Sequence, residues 1–121
     1  PQEMFLLAHL GRIKTKLGDF AGAKKDLDKS LATLEKILNK QSSLRLQIWA
    51  STAEMGLSEW YLEAGDKKQA KVWASKVAFR AAKHDLKTRQ LDAVNLLKKI
   101  STKIIFVVAT GVKLALAWTK S

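Results

Sequence analysis

Proton transfer or metal binding near neutral pH would fall first to the two histidines, His9 and His84, and they lie far apart in the chain. No His-x-x-x-His pair and no neighbouring carboxylate cluster completes a metal triad around either one. His9 falls within an apolar helical stripe. His84 falls near the end of a helix, where the dipole favours a cation, so both read as ordinary boundary residues. The sequence holds no cysteine, which removes disulfides, thiolate metal sites and a thiol nucleophile. Neither glycine pattern that cradles a nucleotide occurs, and Gly18 and Gly22 read as turn and helix residues. The carboxylate pairs Asp26/Asp28 and Glu59/Glu63 have the spacing and basic neighbours of solvated helix faces. The expectation is a chain with no catalytic residue, no metal and no cofactor.

Cations offer a different chemistry. Lysine and arginine number 22 against 11 acidic residues, a net +11, which draws phosphates, acidic proteins or anionic headgroups. Residues 87–121 hold 7 basic and 1 acidic residue, hence +6 of that excess. Further upstream, Lys67, Lys68, Lys71, Lys76, Arg80 and Lys83 recur with helical spacing, followed by Lys87 and Arg89. Lys67, Lys68, Lys71 and Arg80 are the residues expected to meet the acidic surface of another protein; the competing reading is a solvated amphipathic face. The same stripe would neutralise nucleic-acid phosphates. Trp49, Trp60 and Trp73 fall on packing faces, however, so single strands lack a stacking platform.

A second candidate contact is the apolar run that begins Ile104, Ile105, Phe106, Val107, Val108 and reaches Trp118, with Lys98, Lys99 and Lys103 before it and Lys120 after it. These flanks suit a tail anchor on an anionic organelle membrane. The fifteen residues 104–118 make about 22 Å of helix against about 30 Å of hydrocarbon, and Gly111 and Lys113 interrupt them. A last core helix and a hydrophobic contact with a partner protein therefore stand beside the anchor. The first residue is Pro1, which reads as a processed or excised chain. The expected location is intracellular, with organellar and membrane-associated placements both open.

Helices must position all of these side chains. Leucine, alanine and lysine dominate, with one proline and six glycines, so helix is favoured over sheet. Leu6, Leu10, Ile13 and Leu17 form a stripe along one face of a first helix that Gly18 ends. Asp19 caps a second, whose buried stripe is Ala23, Leu27, Leu31, Leu34 and Leu38. Residues 39–43 form a polar turn. A third helix over about residues 44–64 puts Trp49, Ala53, Gly56 and Trp60 on one face and stops at Gly65. Asp66, with Gln69 three residues on, caps a fourth, which presents Ala70, Trp73, Ala74, Val77, Ala78 and Ala81. From Lys87 an amphipathic segment carrying Leu91, Val94 and Leu97 leads into the apolar run.

Leu10-Gly11 overlays Leu57-Ser58, Leu17-Gly18-Asp19 overlays Ala64-Gly65-Asp66, and Ala23 overlays Ala70, all 47 residues apart. Leu10, Gly11, Gly18, Phe20, Ala23 and Leu27 in the first unit, with Leu57, Tyr61, Gly65 and Ala70 in the second, resemble the tetratricopeptide repeat. The resemblance covers about residues 4–84. Lys14 and Lys67 stand where the family has aromatics, Ser58 replaces a glycine, no proline closes either unit, and the usual period is about 34. It implies an all-α fold of antiparallel hairpins stacked as a right-handed array with lengthened helices: two hairpins over residues 1–86, then a C-terminal basic and hydrophobic helical segment over 87–121. That segment would be a degenerate third hairpin turning near Gly111, or a capping or anchoring helix. An ordinary antiparallel helical bundle uses the same glycine turns and alanine faces. The function implied is a scaffold or complex subunit. The alternatives are a tail-anchored adaptor and a basic module that binds nucleic acid.

Overall fold

Gly18 and Gly65 set where the first two hairpins reverse. In the computed structural model, which describes the backbone of residues 1–111 and the side chains of residues 1–101, both adopt the left-handed conformation, with φ of 87° and 88°. A side chain there would be strained, so glycine ends each helix cleanly. α1 (Gln2–Leu17) closes as Gly18 donates to Thr15 O and Asp19 donates to Lys14 O. α3 (Leu44–Glu63) closes in the same way, with Gly65 donating to Leu62 O and Asp66 to Tyr61 O. The next residue starts the following helix in both cases. Asp19 accepts from the Gly22 amide at the head of α2 (Phe20–Leu38), and Asp66 from the Gln69 amide at the head of α4 (Lys67–Lys83). The 47-residue offset thus relates backbone hydrogen bonds as well as letters.

The other two connections differ. Residues 39–43 end at Ser43, whose hydroxyl accepts from the Leu46 amide. The link from α4 to α5 (Lys87–Gly111) is shorter and reverses at Asp85, a non-glycine residue with φ of 53°. Among the described residues the chain is all-α, with five helices and no strand.

Each helix packs on the next in sequence, and α3 also touches α1 and, lightly, α5. Among the described residues the backbone of α1 stays apart from those of α4 and α5, and α2 and α4 are joined only through the side chains of Glu35 and Arg80. α1, α3 and α5 therefore make one row, with α2 and α4 set between them. Small residues let the row close up. A Cβ on Gly11 would lie 2.7 Å from Leu27 Cγ, and one on Gly56 would press on Leu27 and come within 2.9 Å of Arg12 Cγ. The serine that replaces Gly11 in the second unit keeps that close approach by bonding. Ser58 Oγ donates to Ala70 O at 2.7 Å, while a side chain on Gly11 would sit 3.2 Å from Ala23 O.

Ala23, Leu27 and Leu34 are fully buried on α2, as are Ala70, Ala74, Val77 and Ala81 on α4; Leu31, Leu38, Trp73 and Ala78 are half-buried. α3 is enclosed on nearly every side, with residues 50–58 all buried. The α1 stripe does form one face, but that face is turned outward: Leu6, Leu10, Ile13 and Leu17 are 43–79% exposed. Ala8, Gly11 and Thr15 supply the buried side of α1 instead, because only small residues fit so close to α2. The apolar run 104–118 and the turn expected near Gly111 lie outside the residues whose side chains are described. No helix among the described residues is long and apolar enough to cross a membrane.

Candidate interaction surface

The inward side of α4 is alanine and valine, so everything larger is forced to its outer side. Its seventeen residues include six basic and no acidic ones. Lys68, Lys71, Lys76 and Lys83 are exposed there, and Lys67 is half-buried at the first turn. The helix dipole is positive at that end, so Lys67 and Lys68 add to a field that attracts anions. Lys76 Nζ lies 4.2 Å from the centroid of the Trp73 ring. Among these lysines stand two apolar side chains, Val72 and Phe79, and Phe79 is 70% exposed.

A cleft of about 510 Å³ opens beside Phe79, between the C-terminal ends of α2 and α4. Leu38 and Asn39 form the opposite wall, Gln47 and Glu54 of α3 the floor, and Lys76, Lys83 and His84 line the side of α4. Beneath them lies a charged network. Arg80 Nε donates to Glu54 Oε1 at 2.8 Å, one terminal nitrogen donates to Gln47 Oε1, and the other reaches Glu35 Oε1 at 2.6 Å. Burial pushes the Glu54 carboxyl above its ordinary pKa; Arg80 pulls it down and Glu35 adds to the rise. Burial works against the Arg80 charge as well, but Glu54 and Glu35 together outweigh it and hold the guanidinium above its ordinary value.

Of the residues expected to meet a partner, Lys67, Lys68 and Lys71 thus cluster at the N-terminal end of α4, while Arg80 is turned inward and its donors are taken up by three side chains. The lysine repeat that suggested Arg80 carries no information about Glu35, 45 residues away, or Glu54, 26 away. Phe79 was missed although its position is readable: it falls opposite Ala70, Ala74, Val77 and Ala81. Ile104, Ile105, Phe106, Val107, Val108 and Trp118 lie outside the described side chains.

His9 packs edge-on to Phe5, which stacks on Trp49 across the contact of α1 with α3. Partial burial lowers its pKa, and the Arg12 and Arg89 charges lower it further. Next to it Arg12 forms an ion pair with Glu59 at 2.8 Å, and Arg89 of α5 donates to Ser51 and Thr52 of α3, so these cations tie the row together. His84 forms the C-cap of α4. Among the described residues no three histidine or acidic side chains are grouped to hold a metal ion. Comparison with protein-family models, with curated proteins and with solved structures returns no match.

Proposed function

We propose that this chain is a non-enzymatic interaction scaffold, a tetratricopeptide-like array of lengthened hairpins that holds an acidic segment of another protein along α4. The observation that carries the reading is the outer side of α4, where Phe79 and Val72 stand exposed among the lysines of a helix that has no acidic residue of its own, next to a cleft. Exposed aromatics within a charged rim are the usual anchors of protein contacts. The array form is supported by the packing of each helix on the next, with α1 also on α3, and by the 47-residue offset between the turns, caps and close contacts of α1–α2 and α3–α4. On this reading α5 opens a third unit.

Cross-linking the native assembly tests it. The expected partner is a protein with an acidic stretch joined to Lys68, Lys71 or Lys83. Reversing those three lysines to glutamate, with Phe79→Ser, should weaken the complex by roughly tenfold or more, about 1.4 kcal/mol at the least. Unchanged affinity of the folded variant rejects this face. Capture of nucleic acid instead, with affinity falling steeply as salt rises, replaces the reading with the phosphate-binding one.

A further inference from the structure

The partners of Arg80 in the cleft between α2 and α4 hold it unequally. On α3, Glu54 takes two of its bonds, at 2.8 and 3.2 Å, and Gln47 takes another, and both residues are buried on the cleft floor. Glu54 alone therefore balances the guanidinium charge. On the opposite wall Glu35 of α2 accepts at 2.6 Å with its side chain 48% exposed, against 5% for Glu54. The backbones of α2 and α4 stay apart among the described residues, and Leu34 seats that part of α2 against Leu46 and Ala50 of α3. Glu35 can therefore release Arg80 without unpacking either helix.

We infer, resting on the scaffold reading of α4, that Glu35 is an internal stand-in for the ligand: a side-chain carboxylate of the acidic segment takes its place on Arg80, and the apolar residue next to that carboxylate lies on Phe79. The group already in the position shows what chemistry it accepts. Glu54 and Gln47 fix the guanidinium so that one terminal nitrogen is presented to α2, and what it meets there is a carboxylate. Exchanging one carboxylate for another leaves every donor of Arg80 satisfied. The bond given up is a half-exposed ion pair, which contributes little, whereas a buried pair could not be exchanged without a large penalty. Lys76 and Lys83 on the wall of α4 bring the cleft lining to three cations against Glu35 and Glu54, so an incoming acid is attracted while Glu35 turns to water. Phe79 precedes Arg80 in the chain, is 70% exposed and stands across the opening from Leu38, which gives the entering segment an apolar anchor beside its charge. Glu35 thereby sets the affinity that a segment must exceed to enter.

The test uses the full chain and a short fluorescein-labelled peptide that alternates glutamate with leucine and ends in an amide. A second peptide carries glutamine in place of glutamate. Two variants separate occupancy from charge: Glu35→Ala removes the carboxylate, whereas Glu35→Asp keeps it but draws it back by one methylene, out of reach of Arg80. Both should bind the glutamate peptide more tightly than the parent, by about two- to fivefold, the equilibrium worth of an exposed ion pair. Neither should change the binding of the glutamine peptide. Residue 35 is exposed, so both variants should keep their helicity, which circular dichroism checks. A gain in Glu35→Ala with Glu35→Asp equal to the parent would mean that local charge governs the cleft, and overturns the inference. An equal gain for the glutamine peptide, or no gain in either variant, overturns it too. Lys68→Glu/Lys71→Glu/Lys83→Glu tells two failures apart. If it weakens binding of the glutamate peptide while the Glu35 variants match the parent, the α4 face stands and the stand-in falls; if no form of the chain binds that peptide, both fall.

Discussion

Arg80 joins three helices through a single side chain, and the cost of losing it follows from what is left behind. Glu54 is buried, with its carboxyl already pushed above the ordinary range, and without the guanidinium it has no counter-ion of comparable closeness. Arg80→Met should therefore destabilise the fold by about 3–5 kcal/mol, the usual cost of stranding a buried charge. Removing both partners is different. Arg80→Met/Glu54→Leu should recover most of that loss, because neither charge then remains to be solvated. Urea unfolding of the two variants checks this pair of outcomes. A single variant within about 1 kcal/mol of the parent would mean that Glu54 ionises comfortably without Arg80. Ser58 shows the opposite economy. The second unit replaces the small Gly11 with a hydroxyl that bonds the facing carbonyl, so two chemistries solve one packing problem 47 residues apart.

Helix ends were the part of the fold most legible in the sequence, because a left-handed glycine followed by a capping aspartate is a local device that needs no tertiary context. Gly18-Asp19 and Gly65-Asp66 make their turns within one residue of where spacing put them. Faces were legible only where a helix has one buried side, as α2 and α4 do. α3 has no solvated side over residues 50–58, so its apparent stripe of Trp49, Ala53, Gly56 and Trp60 understates its burial. The α1 stripe failed for a related reason: periodicity finds an apolar face but not the direction it faces, and the tight side of α1 is made of Ala8 and Gly11. The third reversal supplies a prediction at this scale. Asp85 occupies the left-handed position that glycine holds in the first two turns, and its ion pair with Lys87 is long, 3.5 Å, and exposed. Asp85→Gly should stabilise the protein by roughly 0.5–1 kcal/mol, the relief of left-handed strain less the added freedom of the unfolded chain. Gly18→Ala and Gly65→Ala should each lose about 1 kcal/mol by the same reasoning. Thermal unfolding of the three variants measures both signs, and a destabilised Asp85→Gly would mean that the aspartate is held there by its contacts.

Among the described residues most contacts run between helices adjacent in sequence or meet at α3, so stability should be distributed unequally along the molecule. α3 touches all four other helices and buries twelve of its twenty residues, whereas α1 buries three of sixteen and, among the described residues, packs on α2 and α3 alone. In such an array the end unit opens first, at less than the global free energy, and the centre opens only with the whole. Hydrogen exchange followed by mass spectrometry should therefore find the slowest amides in α3 over residues 50–58 and markedly faster exchange in α1. If α1 through α4 exchange together at a single rate, the row behaves as one cooperative block and the unequal distribution of its stability is wrong.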